Sequence, residues 1–220
     1  MTIEAILFDK DGTLVDTETK KAESHRLALE EFGVPNGDLW YLNHLGILGP
    51  LLSQLQVDEF DLSVSSDEIR KIRKNHYKNI TKKGPIPIKQ TIDFLKSIPE
   101  ETYFIGLVTQ DFRDSTYNEL QVLGLNTFFH TYVTNEDVLP EQSKPHPAPY
   151  RLAAKRLYLP PEKCLAIEDN NKGVESAKSA GMYCIAIRMP HNKHMDLTNA
   201  DLIVDDLSKY SPDTLISLLT

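Results

Sequence analysis

The sequence predicts an α/β protein, a doubly wound parallel sheet with an inserted α-helical domain, and three observations predict it. Residues Ala5 to Phe8 are continuously apolar and stop at two acids, Asp9 and Asp11. That is how a parallel strand covered on both faces ends at the crevice where such sheets bind ligands. After residue 88, strand-like and helix-like stretches alternate to the end of the chain, the signature of βαβ units. Between the first strand and that region lies a block with helical periodicity and no convincing strand.

Taken in order, Asp16 and Thr17 are placed to cap a helix over residues 18–32, with Ala22, Ala28, Leu29 and Phe32 on one face and Gly33 as its stop. Residues 34–38 read as a turn, and short helices over 39–45 and 51–55 flank Gly46-Ile47-Leu48-Gly49-Pro50, where glycine and proline break the period. Ser65 and Glu68 form a capping box for a helix reaching residue 82, with Ile69, Ile72, His76 and Ile80 at helical spacing. Lys82 to Pro87 marks a boundary, so residues 1–16 and 85–220 are assigned to the core and 17–84 to the insertion. In the core, strands are expected over 103–108, 131–134, 164–167, 183–187 and 202–204. Helices are expected over 88–96, 114–123, 147–158, 173–180 and 212–218.

Composition narrows the function classes. A net charge of −8 disfavours a nucleic-acid or anionic-membrane surface, so any anionic ligand must be held by local cations. Cys164 and Cys184 are the only cysteines and fall in apolar strands, which argues for reduced structural thiols rather than a disulfide framework or a thiolate metal site. The first strand begins within a few residues of Met1, leaving no room for a signal peptide, and no apolar run approaches membrane-spanning length. A cytoplasmic location is the expectation. Oligomeric state has no sequence signal.

Four stretches carry chemistry. An Asp at a strand end can attack phosphorus, and a second carboxylate two residues on can shuttle the leaving-group proton; Asp9 and Asp11 have that spacing, with Gly12 allowing a tight turn. A plain Asp-Gly turn is the other reading. Thr109 closes the strand ending Leu107-Val108 and can hold a phosphoryl oxygen or simply shape a turn. Lys144 stands in a proline-fixed turn, Ser143 to Pro149, as a compact cation suited to phosphate or as a solvated loop lysine. Glu168 and Asp169 end a second apolar strand; paired acids there suit magnesium, and helix capping is the alternative.

The string from Phe8 to Leu14, F-D-K-D-G-T-L, resembles the first motif of the haloacid dehalogenase-like (HAD) hydrolases. Thr109 stands where that family has its second motif, Lys144-Pro145-His146-Pro147 resembles its K-P-x-P motif, and Glu168 to Gly173 resembles its E-D-x-x-x-G motif. The resemblance implies a Rossmann-like core with a helical cap between the first and second motifs. It implies Asp9 as nucleophile, Asp11 as acid and base, and Lys144 as the neutralising cation. Magnesium would be held by Asp9, the backbone carbonyl of Asp11 and Asp169, with Glu168 in or beside that shell. Gly12, Thr13, Thr109 and Gln110 are the expected substrate contacts in the core and Lys21 in the cap, where His25 and residues 46–50 should also touch the leaving group. Gln110 and Asp111 depart from the small polar residues usual after the second motif, and His146, at a variable position, reads as a surface histidine. The implied partner is a small phosphorylated metabolite, such as a sugar phosphate or phosphoglycolate-like ester. A dehalogenase or a phosphonate hydrolase of the same family lacks the second acid, so Asp11 speaks against both. A phosphosugar mutase of the beta-phosphoglucomutase type shares every motif but carries a histidine early in the cap, where this chain has Lys21. A non-catalytic phosphate-binding module is disfavoured by the complete set of Asp9, Asp11, Lys144 and Asp169.

Overall fold

A computed structural model describes residues 2–45, 47, 49–99 and 101–219. The chain divides into two compact units, Met1–Asp16 with Ile86–Thr220, and Thr17–Pro85.

The first unit is a six-stranded, wholly parallel sheet: β1 (Ala5–Phe8), β2 (Phe104–Val108), β3 (Thr131–Val133), β4 (Cys164–Glu168), β5 (Tyr183–Ile187) and β6 (Leu202–Val204), in the order β3-β2-β1-β4-β5-β6. The doubly wound α/β prediction is correct. Successive strands run outward from β1 in one direction and from β4 in the other, so the order reverses between β1 and β4, where Phe8 is in register with Ile167. At such a switch point the connections leave in opposite directions and open a crevice beyond the strand ends.

Side chains alternate across the sheet and build two cores. Ile6, Phe8, Leu107, Leu165 and Ile167 pack with Ile92, Phe94 and Leu95 of α5 (Lys89–Ser97), Leu120 of α6 (Arg113–Val122) and Leu215 of α9 (Pro212–Ser217). Ala5, Leu7, Ala166 and Cys184 face Tyr150, Ala153 and Ala154 of α7 (Ala148–Arg156) and Val174 and Ala177 of α8 (Asn171–Ala180). Each buried Leu, Ile or Phe side chain contributes roughly 1.5–3 kcal/mol, and β1 is buried along its whole length. Both cysteines are free and buried.

The second unit is helical: α1 (Glu18–Glu30), α2 (Gly37–Asn43), α3 (Gly49–Phe60) and α4 (Ser66–Thr81). Its core joins Ala22, Trp40, Tyr41 and Leu52. The Ser65–Glu68 capping box forms as predicted. Three expectations are corrected. Thr17 precedes α1 but makes no side-chain cap bond, because its backbone is already helical (φ −87°, ψ −22°) rather than extended. Residues 34–38 are not all turn, since Asn36 takes a left-handed φ of 59° and α2 starts directly at Gly37. The helix expected over 51–55 runs over Gly49–Phe60, because Pro50 falls in its first turn, where the missing N–H has no helical partner to lose. Of the predicted breaker segment, Gly46 and Leu48 lie outside the described residues.

Candidate active site

Asp9 follows the last residue of β1, while Glu168 ends β4 and Asp169 follows it, so the switch point brings three carboxylates together. All three are buried, and each can offer an oxygen within 4.8 Å of the others. Lys144 lies among them. Its Nζ donates to Asp9 Oδ1 at 2.6 Å, Glu168 Oε1 at 2.6 Å and the Val108 carbonyl at 2.9 Å, using all three ammonium hydrogens. The loop carrying it has a cis Lys144-Pro145 bond. Tyr150 Oη donates to the same Glu168 oxygen at 2.6 Å, and its ring lies 5.1 Å from the Lys144 ammonium.

Burial is the main force on these groups, and it holds the Asp9 carboxyl well above the usual carboxylate range; Lys144 pulls it down, while Glu168, Asp169 and Asp11 push it up. Burial raises Glu168 too, against the pull of Lys144. Although burial alone would lower Lys144, the charges of Asp9 and Glu168 outweigh it and raise the lysine. One lysine facing three buried carboxylates leaves an excess of negative charge. Asp9 Oδ2 is buried with no hydrogen-bond partner, an orphan of the kind that folded proteins avoid unless a ligand completes it. The donors are all hard carboxylate oxygens, so this set fits magnesium.

Two glycines keep the crevice open. A Cβ on Gly12 (φ +90°) would lie 2.0 Å from Asp169 Oδ2, and one on Gly173 would lie 1.9 Å from Glu168 Oε2. Gly173→Ala is therefore expected to displace Glu168 from Lys144, costing roughly 1–3 kcal/mol of stability and most of any catalytic rate that depends on this cluster. Thermal unfolding and steady-state rates measure both; an unchanged rate would detach Glu168 from function.

Asp11 stands apart from the three-carboxylate set. Its side chain is 31% exposed, Oδ2 accepts from Thr109 Oγ1 at 3.1 Å, and Oδ1 is 3.3 Å from Lys10 Nζ. Thr109 thus holds Asp11 in this structure and also accepts from the Asp111 N–H at 3.0 Å. Gln110 Nε2 donates to the Lys144 carbonyl at 3.3 Å, tying the two loops together. Gly12 N–H donates to the Val15 carbonyl at 2.8 Å, while Thr13 is buried with its hydroxyl unpartnered. His146 is exposed, as expected. Lys21 lies on α1 of the helical unit, 2.6 Å from Glu18.

Sequence reasoning passed over four residues here. Lys10 is 1% exposed and binds Asp111 at 2.7 Å and also Glu119; both acids, with Asp11, raise its pKa against the effect of burial. A lysine two residues beyond a fully buried central strand was the available signal, since it cannot reach water and must find acids. His191 Nε2 lies 2.9 Å from Asp169 Oδ2, and Asn192 Nδ2 donates to the Asp169 carbonyl at 2.6 Å. Both sit in the loop after β5, a strand-end position that could have drawn notice. Nothing in the sequence around Tyr150 marked it out.

Residues 6–187 match the family model described as haloacid dehalogenase-like hydrolase. The chain belongs to this family. It is 29% identical over 185 residues to a phosphorylated carbohydrates phosphatase of Thermotoga maritima, covering 82% of each chain. It is 33% identical over 183 residues to the pyrophosphatase PpaX of Bacillus velezensis, covering 81% of this chain and 80% of that one. In fold it resembles a haloacid dehalogenase-like protein of unknown function from Agrobacterium tumefaciens, with a TM-score of 0.82 and 20% identity over 99% of this chain and all of the other. No described helix of this HAD hydrolase is long and apolar enough to cross a membrane.

Proposed function

We propose that this hydrolase of phosphate esters is a magnesium-dependent phosphatase of a small phosphorylated metabolite, acting through an aspartyl-phosphate on Asp9. The observation that carries the reading is the buried cluster of Asp9, Glu168 and Asp169 around Lys144, with Asp9 Oδ2 unsatisfied. Asp9, Asp169 and the Asp11 carbonyl would hold the metal, with Glu168 beside it anchoring Lys144. The bound cation would supply positive charge against the phosphoryl oxygens.

In the first step an Asp9 carboxylate oxygen forms a bond to phosphorus as the ester P–O bond breaks, and Asp11 gives its proton to the departing alkoxide. In the second, Asp11 takes a proton from water as that water attacks the aspartyl-phosphate, releasing phosphate and restoring Asp9. Lys144 pulls Asp9 toward its ionised form against the effect of burial and orients it, while Thr109 aims Asp11. Gly12 and Thr13 would meet the phosphoryl group. Gln110 would act by holding the Lys144 loop. Residues 17–84 would form the cap that selects the leaving group, with Lys21 among its contacts.

The alternative is a phosphosugar mutase, which must protect its phospho-enzyme from water. Lys21 at the place of the mutase histidine, held on Glu18, favours hydrolysis. Both readings imply a small phosphorylated partner, and a cytoplasmic location is proposed with them. Sugar phosphates, phosphoglycolate and pyrophosphate, assayed for phosphate release and for isomerisation, separate them: release without isomerisation is expected. Excess chelator should lower the rate at least about 100-fold, with recovery on adding magnesium, because removing the cation leaves the carboxylates to repel the substrate. Full activity in chelator would overturn the metal-dependent reading.

A further inference from the structure

Within the first unit, the third carboxylate of the cluster is held differently from the other two. Lys144 directs its three ammonium hydrogens to Asp9, Glu168 and the Val108 carbonyl, which leaves none for Asp169. Asp169 is gripped instead through each of its own oxygens. Oδ1 accepts from Asn170 Nδ2 at 2.9 Å, Oδ2 lies 2.9 Å from His191 Nε2, and the backbone carbonyl accepts from Asn192 Nδ2 at 2.6 Å. As a metal ligand Asp169 is ionised and can only accept, so His191 Nε2 carries a hydrogen and donates. The Gly12 backbone closes in on the same Oδ2, since a Cβ there would stand 2.0 Å from it. Little room is left for the Asp169 carboxylate to turn.

His191 sits in the loop after β5, and its bond to Asp169 is separable from what folds that loop. Asn192 is fully buried; its Nδ2 also donates to the Ile187 carbonyl at 2.8 Å, and its Oδ1 accepts from the Met189 N–H at 2.8 Å. Arg188 Nη1 donates to the carbonyls of Asn192 and Met195, each at 2.8 Å. None of these bonds uses the His191 ring, so a role as loop anchor would be redundant. The His191 side chain is 10% exposed and that of Asp169 6%. A hydrogen bond to a carboxylate shielded from water to this degree is a strong one.

A carboxylate has about four acceptor positions, and the two side-chain donors occupy two of them, so Asp169 keeps room for a cation. An ion that meets a ligand already fixed by hydrogen bonds has less ordering to impose and binds more tightly. We infer that His191 is a positioning residue of the magnesium site. Its Nε2–H holds the Asp169 carboxylate in the orientation that brings it within 4.8 Å of Asp9 and Glu168, Asn192 fixes the backbone of Asp169, and the hold strengthens binding of the cation. The inference rests on the magnesium-dependent reading above.

The test titrates the full-length, metal-stripped protein with magnesium chloride in a calorimeter, with metal-free thermal unfolding as the check on folding. His191→Phe keeps a ring and loses the donor. His191→Gln loses the ring and keeps an N–H donor, while His191→Met matches glutamine in shape and has no donor. The Phe and Met variants should raise the magnesium Kd about tenfold or more, as loss of a partner that fixes a metal ligand implies, and the Gln variant should stay within about threefold of wild type. The magnesium concentration that gives half-maximal hydrolysis of p-nitrophenyl phosphate should move with Kd, so the rate falls more at limiting than at saturating magnesium. If His191→Phe fails to fold, His191→Met against His191→Gln makes the same comparison. An unchanged or lower Kd in the variants without a donor would overturn the inference alone, as would weaker binding by the Gln variant than by the Phe variant, which would mark the ring as packing. A wild-type protein that takes up no magnesium and hydrolyses the ester fully in chelator would overturn the metal-dependent reading and the inference with it.

Discussion

Asp9→Asn is expected to abolish turnover of every phosphate ester, lowering kcat by on the order of 10⁵-fold or more, the scale on which removing a nucleophile acts. The amide cannot form the acyl-phosphate bond, yet it has the same shape, and Lys144 keeps Glu168 and the Val108 carbonyl as partners. Loss of activity should therefore come without loss of fold. The pH dependence of stability gives an independent check. In the metal-free wild type the folded-state pKa of Asp9 is raised, chiefly by burial, so the folded protein binds this proton more tightly than the unfolded chain does. Its contribution is fully present below the unfolded pKa and is lost as pH rises through the folded one. Asn has no such proton, so metal-free Asp9→Asn should gain on metal-free wild type as pH rises through that window. Thermal unfolding of both proteins across the window measures the difference; a gain in the opposite direction would show that Lys144, not burial, governs Asp9.

The core was largely legible because its signals are local and redundant. An all-apolar strand can be buried on both faces only in a covered sheet, so β1 and β4 announce themselves, and each ends in the acids that the fold then juxtaposes. Lys144 was legible through its prolines. What the sequence withheld depends on distance in the chain. The partners of Lys10, Asp111 and Glu119, lie about a hundred residues away and become partners only once β2 lies beside β1. Tyr150 reads as one more aromatic on a helix until α7 is laid over β2 and β3 and its hydroxyl reaches Glu168 at the end of β4. Asn36 and Pro50 carried turn chemistry that helix starts also use, so the boundaries of α2 and α3 were misjudged while the helices themselves were foreseen.

Asp11→Asn separates the two proton transfers assigned to this carboxyl, because they make different demands on different leaving groups. With an alkyl phosphate the departing alkoxide is strongly basic and needs the proton, so both formation and hydrolysis of the phospho-enzyme should slow, by about 10²–10⁴-fold. With an activated aryl phosphate the leaving phenolate needs none. Asp9 should then be phosphorylated at nearly the normal rate, while hydrolysis, lacking its base, stays slow. The result is a burst of phenol close to one equivalent per active site, followed by a slow steady rate. The substituted amide still offers Thr109 an oxygen to replace Asp11 Oδ2, now 3.1 Å from the hydroxyl, so the loop should keep its place and the effect should be chemical. Asp9→Asn, lacking the nucleophile, should show neither burst nor turnover. Rapid-mixing absorbance at the phenolate wavelength records the burst, and acid quenching traps the aspartyl-phosphate for mass measurement. Should Asp11→Asn turn over the aryl ester at the wild-type steady rate with no burst, Asp11 is not the base, and the proton must pass through another group near Thr109.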